Sequence, residues 1–392
     1  MSSRLVGARR TDLMRESVIR DMTRLAIAHG AINLSQGYPD FPPPPVIVEA
    51  AKAAIDGGEN QYTNPWGYPP LLERLAERYR AELGWEVDAG RHVTVTCGVT
   101  EGLASAMLAI VEPGDEVIVL EPAHDNYWPS VRMADAVPVA VALRRPDHRL
   151  PIEDIAAAIT PRTKAILLNT PHNPTGRVFD DGEIAALADL VVAHDLALVT
   201  DEIYDRITFD GLVHRSPGRL DALRDRTITL SGLGKTFSVT GWRLGYMIAP
   251  DRFADAVHRI HDFVTICAPT PLQAAACAAM DLPESYYEGL RADYAERRAV
   301  LVELLRGLGF EVAPPEGAYY ALADFRALPA AAGHRDATSF ARWMTTDVGV
   351  AVVAGDAAYS IPGLGVDQVR FAFCKKLETL HAAAERMRAA LG

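Results

Sequence analysis

Short runs rich in Val, Ile and Leu recur along the chain at 91–97, 116–121, 137–143, 164–168, 196–201, 227–230 and 244–249. Runs of this length and uniformity predict seven buried strands. Between several of them the apolar residues return every three or four positions, as in GEIAALADLVVAH from Gly182 to His194, which predicts helices with one buried face. Strands and helices alternating in this way over about 150 residues imply a parallel sheet covered by helices.

The flanks are patterned differently. Arg15 to His29 has amphipathic helical spacing, whereas NLSQGYPDFPPPP from Asn33 to Pro45 can be neither helix nor central strand and is expected to wrap the outside. After Pro283 a long helix is expected from about Glu284 to Leu308. Short strands punctuated by Gly317, Gly349, Gly355 and Gly363 follow, then a closing helix from Lys376 to Leu391. The expected organisation is an arm with part of a small domain at 1–44, a large domain at 45–283 and a small α+β domain at 284–392.

Composition narrows the function. At 392 residues, 49% hydrophobic and 23% charged, the chain is long enough for two domains with cores of their own. Lys and Arg number 39 against 51 Asp and Glu, and the basic runs are only doublets such as Arg9-Arg10 and Arg144-Arg145, which speaks against a nucleic-acid surface. Cys97, Cys267, Cys277 and Cys374 lie far apart without a C-x-x-C pair. Reduced thiols in a cytoplasmic chain are expected, and no metal site. The N-terminus MSSRLVGARRTDLMRE has charge without a following apolar stretch, and no 18-residue apolar run occurs, so neither a secretion signal nor a membrane span is expected.

One loop looks at first like a phosphate loop: Ser231-Gly-Leu-Gly-Lys-Thr-Phe, directly after a strand. A Walker loop needs glycine five positions before the Gly of its Gly-Lys pair, and Thr229 stands there. What remains is Lys235 among small residues at a strand end, where partial desolvation makes an amine able to form a Schiff base. Asn173 lies in the turn-forming run NTPHNPTG after another strand, Asp201 ends a third, and Tyr204 follows it by three residues. Strand ends of an open α/β sheet line the ligand crevice, so these four polar groups can converge.

With further motifs the pattern resembles a known family. NLSQGYPDFPPP, NQYTNPWGYPPL from Asn60, NTPHNPTGRVF from Asn169, TDEIYD from Thr200, KTFSVTGWRLGY from Lys235 and VRFAFCK from Val369 span nearly the whole chain. They are similar to the class I/II aminotransferases, pyridoxal-phosphate enzymes of the aspartate aminotransferase fold (fold type I), most of all to the kynurenine, glutamine and methionine branch. The resemblance implies a large domain with a seven-stranded, mostly parallel sheet, a smaller α+β domain, bound pyridoxal 5'-phosphate, amino-acid and 2-oxo-acid substrates, and a homodimer.

It also implies roles. Lys235 would hold the cofactor as a Schiff base and move the proton at the substrate Cα, and Asp201 would pair with the pyridinium nitrogen. Asn173 and Tyr204 would donate to the 3′ oxygen. Gly98, Val99 and Thr100, at the start of a helix expected over 101–111, would offer amides to the phosphate beside Arg243, and Tyr62 would reach the phosphate of the neighbouring subunit. Arg370 would grip the substrate carboxylate, with Gly37 and Tyr38 covering it.

Two positions depart from the family pattern. Gly232 stands where a Ser or Thr phosphate ligand is usual, with Ser231 as a substitute, and His124 stands where an aromatic ring usually lies on the cofactor. An imidazole can also shuttle a proton. Tyr38, Trp66, Tyr68, Tyr127 and Trp128 suggest an apolar, aromatic or thioether side chain on the donor. A carbon-sulfur β-lyase, or an oxidative or decarboxylating biosynthetic enzyme, remains possible on the same scaffold, because the cofactor supplies the electron sink in each. A pseudoenzyme is disfavoured by the intact set Lys235, Asp201, Asn173, Arg243 and Arg370.

Overall fold

A computed structural model of the chain describes residues 7–14 and 16–392. Residues 1–6 of the N-terminal stretch, and position 15 at the start of the expected first helix, lie outside the described residues. The first helix runs Val18–His29 and ends at Gly30, whose φ of 60° puts it in the left-handed region that glycine tolerates. A short strand, β1 (Ile32–Asn33), follows. The proline-rich stretch is extended up to the helix Pro45–Asp56, which takes Pro45 in its first turn, where no amide hydrogen is needed.

All seven predicted strands form and share one sheet. They are β2 (Val93–Thr96), β3 (Glu116–Glu121), β4 (Val137–Ala142), β5 (Thr163–Asn169), β6 (Ala197–Asp201), β7 (Thr227–Gly232) and β8 (Gly245–Ile248), in the order β2-β8-β7-β6-β5-β3-β4. The sheet is not wholly parallel: β8 runs antiparallel to both β2 and β7. The reason is local. β7 and β8 are joined by a connection that stays at one end of the sheet, whereas a parallel return needs a full crossover.

Burial differs between the two edges of the sheet, since the edge strand β2 is buried throughout. β6, β7 and β8 are buried throughout, while β4, at one edge, is part-exposed and accommodates Pro138, which lacks a ladder donor. The helix predicted at 182–194 forms at Asp181–Ala193, opened by a reciprocal cap between Asp180 and Glu183 that satisfies two otherwise unpaired amides.

Beyond the long helix Glu284–Gly307, four strands form an antiparallel sheet ordered β12-β13-β10-β9: β9 (Glu311–Val312), β10 (Tyr320–Asp324), β12 (Val353–Ala354) and β13 (Gln368–Ala372). β11 (Val350–Ala351) pairs instead with β1, in parallel. The closing helix is Leu377–Leu391. One apolar cluster joins Met22 and Leu34 from the N-terminal segment to Phe310, Phe340, Phe371 and Met387, and it also takes in Tyr204 and Ile207. The long helix bridges two clusters, with Tyr287 packed beside the large sheet and Tyr294 in the C-terminal cluster. All four cysteines are unpaired. No helix among the described residues is long and apolar enough to cross a membrane.

Candidate active site

β2, β3, β5, β6 and β7 point the same way, and their carboxyl ends open a crevice at one edge of the sheet. β6 ends on Asp201, and β5 ends on Asn169, whose side chain accepts from the Asn173 amide at 2.7 Å. β7 runs into one helical turn, Leu233–Thr236, carrying Lys235. Asn173, Asp201, Tyr204, Lys235, Arg243, His124, Gly98, Val99 and Thr100 all line one cavity of about 110 Å³.

One end of that cavity is built for an anion. The helix Gly98–Ile110 begins there, three residues earlier than predicted, so Gly98, Val99 and Thr100 form its first turn and their amides have no carbonyl within the helix. Arg243 lies against this turn. A Cβ on Gly98 would sit 2.6 Å from its Nη2, and one on Gly245 would sit 2.5 Å from the Gly98 carbonyl carbon, so both glycines let the guanidinium and the backbones meet. Arg243 Nη1 donates to the Thr240 carbonyl at 3.1 Å, and no carboxylate among the described residues pairs with it. A free guanidinium beside open helix amides makes a dianion site.

The opposite end holds a carboxylate and an amine. Asp201 is buried, and its Oδ2 accepts from the Tyr127 hydroxyl at 2.7 Å while Oδ1 accepts from the Ile203 amide at 3.2 Å. Burial pushes its pKa up, against the pull of Tyr127 and the nearby His124 and Lys235. Lys235 Nζ donates to the Gly37 carbonyl at 3.1 Å. Burial lowers its pKa to about 8, with Arg370 and Arg243 acting in the same direction and Cys374 and Asp201 opposing. A fair share of the amine is therefore neutral, and so nucleophilic, near physiological pH.

A second cleft of about 630 Å³ shares Thr100, His124 and Asn173 with the first and brings in Arg370, Ser17, Leu322, Val353 and Tyr359. Arg370 is buried. Its Nη1 donates to Asn173 Oδ1 at 3.2 Å and its Nη2 to the Ser35 carbonyl at 2.7 Å, while Nε has no partner among the described residues. Leaving a buried charged donor unmatched costs about 1–3 kcal/mol, so the site is poised for an incoming acceptor. The Gly37 carbonyl, bonded also by the Tyr319 hydroxyl at 2.9 Å, and the Tyr38 carbonyl, held by Lys375 at 2.7 Å, fix the loop that borders Lys235.

The profile of the aminotransferase class I and II family matches residues 29–387. The chain belongs to that family. It is 38% identical over 383 residues to the probable N-succinyldiaminopimelate aminotransferase of Mycobacterium tuberculosis, covering 95% of each chain. The solved structure of N-succinyldiaminopimelate aminotransferase from that organism superposes with a TM-score of 0.94 at 36% identity, over 99% of this chain and 100% of the other. The methionine aminotransferase of Escherichia coli is 34% identical over 372 residues, with 95% of each covered. Human kynurenine–oxoglutarate transaminase 1 is 35% identical over 410 residues, with 97% of each covered. Fold type I, aminotransferase chemistry and dependence on pyridoxal 5'-phosphate come with the family.

The residues present fit that cofactor. A dianion cradle, a buried carboxylate and a part-neutral lysine on one cavity match its phosphate, ring nitrogen and aldehyde in chemistry. One expected member of this aminotransferase site stands elsewhere. Ser231 is fully buried with its hydroxyl on the Glu202 carbonyl at 3.2 Å, facing away from the cavity. Period-two alternation along β7 sends it to the other face, and a Cβ on Gly232 would press on the Leu244 carbonyl at 2.9 Å. Thr240, which the sequence did not single out, lines the cavity instead. Tyr62 is 78% exposed and outside both cavities.

The aromatic set expected to receive the substrate is largely structural. Trp66 stacks on His258 with centroids 4.5 Å apart, the Tyr68 hydroxyl bonds Glu59, and Tyr127 serves Asp201. Trp128 lines the second cleft while its indole donates to Glu121 at 3.0 Å. Tyr38 lies under the Lys375 ammonium with its ring part-exposed. His124 borders both cavities, with its ring centroid 5.8 Å from that of Tyr127.

Proposed function

We propose that this aminotransferase moves the amino group of an L-amino acid to a 2-oxo acid, and that it favours donors with apolar, aromatic or thioether side chains. The observation that carries the site assignment is the convergence of Lys235, Asp201, Asn173, Tyr204, Arg243 and the 98–100 amides on one cavity, with Arg370 at its border. Bound there, pyridoxal 5'-phosphate would supply the aldehyde that takes up nitrogen and the ring that withdraws electrons from Cα.

The chain's own groups do the rest. Arg243 and the helix amides hold the phosphate, Asp201 keeps the ring nitrogen protonated, and Asn173 and Tyr204 donate to the 3′ oxygen. Arg370 fixes the substrate carboxylate so that Cα faces Lys235, whose amine takes the proton from Cα and would return it to the cofactor carbon on the far side of the substrate nitrogen. The side-chain preference is supported by Val18, Ile19, Leu322 and Val353 along the second cleft, and by the methionine and kynurenine relatives.

A donor with a distal carboxylate is a second reading, favoured by Arg20, exposed on the same cleft, and by the N-succinyldiaminopimelate relatives. A screen of donors and oxo acids separates the two, with free pyruvate and ammonia measured alongside. Methionine or phenylalanine as best donor supports the first reading, a dicarboxylate donor supports the second, and released ammonia without oxo-acid exchange would favour β-elimination instead.

The working form on this proposal is a cytoplasmic homodimer, in which residues 45–283 carry the cofactor and 284–392, with 1–44, close over it. Tyr62, Phe263 (90% exposed), Val264 and Ile266 are large exposed side chains, and the segments carrying them are linked by the bond from Thr270 to the Gln61 carbonyl. Apolar surface of this kind is what a symmetric partner would cover, bringing its Tyr62 to the phosphate. Sedimentation of an active species at monomer mass would exclude it.

A further inference from the structure

Tyr320 has no part in the assignments above, although it lies among the residues they use. β10 and β13 pair so that Tyr320 faces Ala372 and Leu322 faces Arg370. Residues two apart share a sheet face, so Tyr320 and Arg370 are diagonal neighbours. The Arg370 guanidinium carbon lies 4.3 Å from the Tyr320 ring centroid, stacked on it. Such a platform fixes the orientation of the planar fork and leaves its edge to meet a carboxylate.

The hydroxyl of the same ring reaches the other way. It accepts from the Tyr204 hydroxyl at 3.3 Å, and a Cβ on Gly37 would fall 1.8 Å from it, so it is pinned against that loop. The ring is 3% exposed and enclosed by Tyr204, with centroids 5.9 Å apart, and Tyr319, at 5.0 Å.

A phenol has one hydrogen and two lone pairs. If Tyr204 turns its hydrogen toward an anionic oxygen in the cavity, its own oxygen is freed to accept, and Tyr320 is the group placed to donate to it. Chained donors polarise one another, so the second bond strengthens the first. We propose that Tyr320 is a positioning residue with two ends: its ring steadies Arg370 for the substrate carboxylate, and its hydroxyl reinforces the donation of Tyr204 to the cofactor's 3′ oxygen. The second half rests on the reading of Tyr204 given under the proposed function.

The test uses the holoenzyme without turnover. The readouts are the pH midpoint of the bound cofactor's visible absorption, the affinity for 4-methylpentanoate, an amino-free carboxylate, and the thermal midpoint. Donation to the 3′ oxygen disperses the negative charge that holds a proton on the neighbouring nitrogen. Weaker donation therefore moves the spectral midpoint up. Tyr204→Phe is expected to raise it most, and Tyr320→Phe to raise it by about 0.5 pH unit, the scale of one modest hydrogen bond. In the double variant Tyr320→Phe adds nothing further.

Tyr320→Phe keeps the platform and so keeps carboxylate affinity, whereas Tyr320→Leu lowers it by roughly threefold to tenfold at unchanged fold. An unmoved midpoint in Tyr320→Phe, with Tyr204→Phe shifted, overturns the hydroxyl's role alone. An unmoved midpoint in both removes the assignment of Tyr204 and this inference with it. Undiminished affinity in Tyr320→Leu overturns the platform.

Discussion

The two halves of the active site are built by opposite means. The proposed cofactor wall is a row of strand ends, where Asp201, Asn173 and Lys235 stand at or within a few residues of the ends of β6, β5 and β7. The proposed substrate cleft draws on residues 12–13, 16–20, 123–133 and 353–360 together with Arg370, distant segments that meet only in the folded chain. A rigid row of strand ends gives fixed chemistry, and a surface assembled from several segments gives adjustable specificity. Relatives that share the wall's family but are named for different substrates are what this division leads one to expect.

The comparison can be broken most severely at Lys235. Lys235→Ala is expected to abolish covalent cofactor attachment and lower turnover by at least about a thousandfold, measured by spectrum and steady-state rate. Asp201→Ala should weaken cofactor binding and cut turnover by roughly a hundredfold, since the ring nitrogen loses its carboxylate. Near-normal rates would mean that another group serves it. Arg370→Ala, in the cleft, should leave the cofactor bound and raise KM by about tenfold to a hundredfold, the worth of two charge-assisted hydrogen bonds.

The same division decides what the sequence could reveal. Strand runs and their ends are local, so the seven strands of the large sheet and the groups on its edge were legible, as was the capped helix at Asp181–Ala193. Facing across long separations is not local. Nothing in the spacing of Ser231 says that β7 turns its hydroxyl to Glu202, nor that Trp66 spends its ring on His258. Tyr127 carried one signal, a tyrosine shortly after a strand end in a run already noted for His124. It was expected to offer aromatic surface to the substrate, and its bond to Asp201 was not foreseen. Tyr320 gave none, because its meaning depends on the register of β10 with β13.

Smaller effects sharpen the contrast. With its pKa lowered to about 8 by burial, Lys235 should make the rate of cofactor uptake by apoenzyme climb through pH 8 and level off above it. A rise continuing to the 10.5 of an ordinary lysine would contradict the buried amine. His124, on the border of both cavities, should matter least to binding and most to outcome. His124→Phe is expected to keep cofactor affinity while changing the rate, or the partition between oxo acid and ammonia, by a few-fold. Identical product distributions would leave it as packing.

The central claim is that one lysine at the end of β7 carries the chemistry of this chain. Borohydride reduction of the holoenzyme followed by peptide mapping tests it directly, because reduction fixes the cofactor on whichever amine holds it. The pyridoxyl label is expected on Lys235 alone. A label on any other lysine, or a native spectrum that survives in Lys235→Ala, would contradict it.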